Sequence, residues 1–193
     1  MKVFHPKEFK VMSLRECPVP ESMLYCETPE QAANYWRLHI ASSPQFNPEC
    51  ECLAALMLNT RHRVKGHQLV TIGTMDTCLV HPREVFRGAV VAAASALILM
   101  HNHPSGEPTP SDADIKVTRD LIRAGQLLKI EVLDHVIMGM PKHIHSHASC
   151  FVLVMMMPRS WPRDSRISRR RICGTWRPGK PSPALNAATS ILI

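Results

Sequence analysis

The chain has 193 residues, 45% of them hydrophobic, 20% charged and 5% aromatic. That suits one domain with tails and is too apolar for disorder throughout. The longest apolar stretch, Ala89 to Met100, is too short to cross a bilayer as a helix, and Met1–Met12 has no apolar signal core. The default expectation is a soluble, cytoplasmic protein without membrane contact. The formal net charge of +7 invites a nucleic-acid reading, but residues 1–149 hold 15 Lys+Arg against 15 Asp+Glu, so the whole excess lies in residues 150–193. The body therefore carries no net basic signal for DNA. Seven Cys at 17, 26, 50, 52, 78, 150 and 173 form no Cys-x-x-Cys pair, which favours buried reduced thiols. Cys50 and Cys52 have a spacing that can touch a metal, although Cys52 reads better as a small apolar residue opening a strand.

Residues 1–27 read as an extended lead-in punctuated by Pro18 and Pro20. Thr28-Pro29-Glu30-Gln31 predicts a helix start with a capping box, the helix running to about Ile40. Ser42–Pro48 is loop. Leu53–Asn59 predicts a buried strand, Thr60–Gly66 a turn and His67–Gly73 a return strand. Pro82 opens a helix to about Ser95, and Ala96–Met100 is a short buried strand. Residues 104–110, with three prolines and a glycine, must be loop. Ser111 to about Ala124 predicts a helix stopped by Gly125, and Ile130–Met138 a final strand closed by Gly139-Met140-Pro141. Strands alternate with helices, so the fold class is α/β (or α+β), a mixed sheet flanked by helices. The segment 149–193 is basic and rich in Pro, Arg and Ser, and reads as a disordered tail, with Val152–Met157 as one further strand within it.

The chemistry sits in His101-Asn-His-Pro-Ser-Gly-Glu-Pro-Thr-Pro-Ser-Asp-Ala-Asp114. Residues i and i+2 of an extended segment point the same way, so His101 and His103 can aim both imidazoles at one point. The loop returns to a helix whose first turn holds Asp114. Two His, one carboxylate and an open position form the pattern of a catalytic zinc site. Such a site also needs a carboxylate off the metal to take a proton from water and pass it to a leaving group. Glu51, just before the strand at 53–59, is the candidate, provided that strand lies beside 96–103. Ser111 is a candidate hydroxyl donor to an oxyanion.

Plainer readings stand beside these. Ser111-x-x-Asp114 is also an N-capping pair. An acid before a strand, such as Glu51, is commonly just solvated. Asn102 is expected to point away from the metal and bond backbone. Asp134-His135 is expected to be structural, since adjacent strand residues face opposite sides. His143, His145 and His147 lack a neighbouring carboxylate and read as a solvated stretch, and the arginines 169–171 as an exposed basic run.

His-x-His-Pro, six residues, then Ser-x-x-Asp resembles the JAMM motif of MPN-domain metalloproteases, and HNHPSGEPTPSDADIKVT resembles the RadC branch of that family. The likeness extends to HPREVFR at 81–87 and LDHVIMG at 133–139, covering roughly residues 11–140. The resemblance implies an MPN/JAB fold over residues 28–148, related to the cytidine-deaminase architecture. It implies one Zn²⁺ per chain held by His101, His103 and Asp114, with Glu51 as the family's upstream glutamate. A peptide or protein substrate follows from it. The chain departs from longer RadC proteins in lacking room for an N-terminal helix-hairpin-helix region, which weakens a DNA-repair role. It departs again after His147, where the text is unrelated to the family's usual ending. The alternatives are a DNA-processing protein and an inert MPN scaffold. A deaminase would want His-x-Glu and Pro-Cys-x-x-Cys, which are absent. His-Asn-His shares letters with the HNH nucleases, whose three residues are spread over a hairpin and a helix.

Overall fold

Helix formation begins at Thr28, whose hydroxyl accepts from Gln31 N–H while the Gln31 side chain caps the Thr28 N–H. In the computed structural model, which describes residues 17–18, 21, 24–73 and 80–139 and the backbone of 149–156 and 168–175, this gives α1, Pro29–Tyr35. The chain then runs on as one wider π turn, Trp36–Ile40. After it come β1 (Cys52–Leu58), β2 (Val64–Ile72), α2 (Pro82–Val91), β3 (Ala96–His103), α3 (Asp112–Leu128), β4 (Glu131–Gly139), β5 (Ser149–Met156) and β6 (Ser168–Thr175). One mixed sheet has the order β2-β1-β3-β4-β5-β6. Among the described strands only the β3/β4 pair is parallel. The expected α/β class is thus found.

The central strands are apolar on both faces, so helices cover both sides. On β1 and β3 the even residues (Ala54, Leu56, Ile98, Met100) pack with Tyr35 of α1 and Trp36 of the π turn that follows it. The odd residues (Ala55, Met57, Leu97, Leu99) pack with Val85 and Phe86 of α2 and Leu121 of α3. By the same alternation His101 and His103 face the α3 side and Asn102 faces away from it.

Several boundaries differ from the sequence reading, each for a tertiary reason. The return strand begins at Val64, not His67, because Gly66 (φ +148°) sits at a bulge: Met57 pairs with Gly66 but Leu58 with Val64, so Lys65 is the extra residue. The second helix ends at Val91 rather than about Ser95, and Ala93 turns the chain at φ +47°. β3 runs past Met100 through both histidines. Gly125 does not stop α3. The helix continues to Leu128 and closes on left-handed Lys129 (φ +58°), with Ile130 N–H bonding Gly125 C=O at 2.9 Å and Lys129 N–H bonding Gln126 C=O at 3.4 Å. This is a Schellman closure.

Beyond residue 148, where the sequence reading expects a disordered tail, the backbone of β5 and β6 extends the sheet. β5 holds most of the apolar run 152–157. β6 is rich in arginine, which suits an outermost strand, where charge discourages further pairing. The lead-in before residue 17, Cys78, the segment 140–148 with His143, His145 and His147, and residues 157–167 and 176–193 lie outside the described residues, as do the side chains of the arginines 169–171. Among the described residues Cys17, Cys26, Cys50 and Cys52 are free thiols. No helix among them is long and apolar enough to cross a membrane.

Gly125 is inside the helix because its bare Cα admits other groups. A methyl there would meet the Ile130 carbonyl oxygen and stand 3.2 Å from the Phe86 ring. Gly→Ala within a helix ordinarily stabilises by up to about 1 kcal/mol. Gly125→Ala is expected to do the opposite, costing about 1–3 kcal/mol by overpacking. Chemical denaturation reads the sign, and a stabilised variant would contradict this packing.

Candidate metal centre

Three elements meet at one point. β3 ends on His101-Asn102-His103, the loop 104–110 doubles back, and α3 begins at Asp112 with Ser111 as its N-cap. The loop turns at once, with Gly106 (φ +85°) donating its N–H to His103 C=O at 3.0 Å. It lies against the end of β4, where a methyl on Gly139 would collide with Gly106 and Pro108. The fold therefore holds the returning chain close to the strand that carries the histidines.

The ligand atoms of His101, His103 and Asp114 all lie within 4.8 Å of one another. The two Nε2 atoms are 2.7 Å apart. Each stands 3.4 Å from a different Asp114 oxygen, His101 from Oδ1 and His103 from Oδ2. His101 is buried, and His103 and Asp114 are largely so.

The partners of the other ring nitrogens set the tautomers. His103 Nδ1 lies 2.8 Å from Glu107 C=O, which can only accept, so Nδ1 carries the proton. Thr118 Oγ1 donates its one proton to Asp114 C=O at 2.6 Å. It must therefore accept from His135 Nδ1, 2.7 Å away. That leaves His135 Nε2 as an acceptor, and His101 Nδ1–H donates to it at 2.7 Å. Both Nε2 lone pairs thus point at each other and at a carboxylate. Four acceptor atoms converge on one small volume with no fixed donor among them except Ser111. Only a proton or a cation relieves this, so the residues fit a metal ion, and the donor set of two imidazoles and a carboxylate suits zinc.

Charge states follow from the same contacts. Burial, aided by neighbouring His135 and His103, holds His101 neutral well below the usual imidazole range against the pull of Asp114. Burial likewise pushes His135 down to about 4. For His103 burial also opposes charge, but bonds to Asp114 and Glu107 and the charges of Asp114 and Glu51 outweigh it, and its pKa rises. Burial works against the Asp114 carboxylate too, yet the bond from His103, nearby His101 and two donors from Ser111 keep it ionised far below its ordinary range. Asp134 faces the opposite side, near Cys26. Burial lifts Asp134 to about 6, and burial together with Asp134 lifts Cys26 to about 12.

Glu51 is brought to the site by strand pairing. β1 and β3 are antiparallel neighbours with Leu53 opposite His101, so continuing the register places residue 51 opposite His103. Its carboxylate is close enough to be felt at His103. Asn102 pins this segment. Its amide oxygen accepts from Cys52 N–H at 2.9 Å and its amide N–H donates to Cys50 C=O at 3.0 Å, bracketing Glu51 on both sides. The expectation that Asn102 turns from the metal side to bond backbone is met, with the added result that the backbone belongs to Cys50 and Cys52, the two residues flanking Glu51.

Ser111 is occupied with Asp114. Its backbone N–H and its hydroxyl each donate to Asp114 Oδ2 at 2.7 Å, and its Oγ accepts from Asp114 N–H at 3.2 Å. Here it caps α3 and orients the carboxylate. Sequence reasoning favours a structural role for His135 and gives Thr118 no part in the site. His135 touches His101 directly.

The model of the RadC-like JAB domain matches residues 26–165, and the chain belongs to that family, as the mixed sheet with its helices and the His-His-Asp cluster lead one to expect. A UPF0758 protein of Bacillus cereus (strain G9842) is 44% identical over 117 residues, which are 61% of this chain and 50% of that protein. A UPF0758 protein of Caldanaerobacter subterraneus is 49% identical over 89 residues, 46% of this chain and 38% of its own. Another, of Alkaliphilus metalliredigens, is 53% identical over 83 residues, 43% of this chain and 36% of its own. The chain spans half or less of the length of these relatives.

Replacing Asn102 with Leu keeps the volume but strips Cys52 N–H of its partner. A buried donor left unpaired costs roughly 1–3 kcal/mol. Asn102→Leu is expected to lower stability by that amount in urea denaturation, and a midpoint unchanged from wild type would contradict the clamp.

Proposed function

We propose that the chain is a zinc-dependent hydrolase acting on peptide or isopeptide bonds. The observation that carries this reading is the convergence of His101, His103 and Asp114 with the Glu51 segment held beside them. His101 and His103 would hold the ion through Nε2 and Asp114 through its carboxylate. A zinc ion supplies Lewis acidity, bringing the pKa of a water down to roughly 7 and polarising a carbonyl.

The protein's own groups do the rest. Glu51 lies outside the ligand set and near enough to His103 for its charge to be felt there, so its carboxylate is the base that accepts the proton of the attacking water. It then returns that proton to the leaving nitrogen, the role general acid–base catalysis requires of one positioned group. Asn102 keeps Glu51 at its post by holding the peptide units before and after it. The bonds at Nδ1 of His101 and His103 keep their Nε2 lone pairs free for the ion. Ser111 is the proposed hydroxyl donor to the oxyanion, which requires its Oγ–H to turn from Asp114 Oδ2 toward the substrate oxygen. A peptide or protein is the proposed substrate class. The neutral charge balance of residues 1–149 ranks a nucleic-acid partner below it.

Two variants separate binding from chemistry. Glu51→Gln is expected to retain one zinc per chain while losing hydrolysis of peptide or isopeptide substrates by about 10²-fold or more, the share such a group supplies. His103→Ala is expected to lose the zinc itself, read by metal analysis of purified protein. Hydrolysis undiminished in Glu51→Gln would remove Glu51 from the mechanism.

A further inference from the structure

We propose that His135, with Thr118 behind it, is a positioning residue that fixes the tautomer of His101 and so its competence to hold the metal. This rests on the reading that His101, His103 and Asp114 bind zinc. The geometry is a chain of three hydrogen bonds that starts at the backbone of one ligand residue and ends on the ring of another. Asp114 C=O accepts from Thr118 Oγ1 at 2.6 Å, Thr118 accepts from His135 Nδ1, and His135 Nε2 accepts from His101 Nδ1, the last two at 2.7 Å. His101 Nε2 then faces the Asp114 carboxylate at 3.4 Å. The two ligand residues are thereby tied through β4, from α3 back to β3. Thr118 and His135 are buried at 0% and 1% exposure, so no water competes for these bonds.

The fold makes a local departure to achieve this. Leu97 pairs with Val132, but Ile98 pairs with Asp134, so Leu133 is an extra residue in β4. Val132 packs on the α3 side and Leu133 on the α1 side. Strict alternation would then send residue 134 toward α3 and residue 135 away from it. The bulge reverses the order, aiming His135 at His101 and sending Asp134 to the far face. An apolar residue in place of His135 would leave the bulge without this consequence and the His101 ring free to present Nε2–H to the ion, a form that cannot bind it.

The test uses the full chain, with zinc affinity read by chelator competition and histidine tautomers by ¹⁵N NMR of metal-free protein. Wild-type His101 is expected in the Nδ1–H form. His135→Leu and Thr118→Val are expected to weaken zinc binding about 10–100-fold, while Thr118→Ser, which restores the hydroxyl, binds as wild type does. Cobalt(II) substituted for zinc should show an altered visible spectrum in Thr118→Val and an unaltered one in Thr118→Ser. Should His135→Leu fail to fold, the Thr118 pair decides alone, since valine is nearly isosteric with threonine. Wild-type affinity in folded Thr118→Val, or His101 in the Nε2–H form in the wild-type protein, overturns the proposal. Absence of stoichiometric zinc in the wild type overturns the metal reading beneath it, and is visible before any variant is made.

Discussion

Two imidazole nitrogens that cannot both be donors face each other at 2.7 Å, beside a carboxylate that holds its charge far into the acid range. The partners of the two rings turn the imidazole protons outward, and only Ser111 donates inward, to Asp114 Oδ2. The Glu107 carbonyl takes the proton of His103 Nδ1, and His135 takes that of His101. Such a cluster of acceptors is unfavourable in a buried place unless a positive species enters it. In the metal-free chain the same need raises the pKa of His103 against the opposing effect of its burial. A divalent cation meets the same need with more charge.

The sheet order explains why the surroundings are so complete. β3 is central, with β1 on one side and β4 on the other. From β1 comes the segment carrying Glu51, clamped through Asn102. From β4 comes His135, clamped through Thr118. The residues of the His101-Asn102-His103 triplet thus address three directions at once, with alternation sending the histidines to the α3 side and the asparagine to the other. One short sequence at a strand end organises the ligands, the carboxylate beside them and the supporting bonds.

This explains what could be seen in the sequence. The pair His101/His103 and the cap Ser111–Asp114 depend on local spacing, strand period and helix capping, and both were legible. The adjacency of Glu51 needed only that β1 neighbour β3. The features that escaped are those in which distant chain alters a local rule. Gly66 read as turn because a bulge cannot be distinguished from a turn without the partner strand. Gly125 read as a helix stop because nothing local shows Ile130 and Phe86 closing on it. The contact of His135 with His101 is not legible because the extra residue at Leu133, which reverses the faces of β4, exists only in the pairing with β3. The Arg-rich strand at 168–175 reads as tail because its composition carries no sign of the sheet edge that receives it.

The most direct measurement is anomalous scattering at the zinc edge from crystals of the zinc-loaded chain. One site per chain is expected, bonded to Nε2 of His101, Nε2 of His103 and a carboxylate oxygen of Asp114, with Nδ1 of both rings still turned to His135 and Glu107. A peak elsewhere, ligation through either Nδ1, or no bound zinc would contradict it.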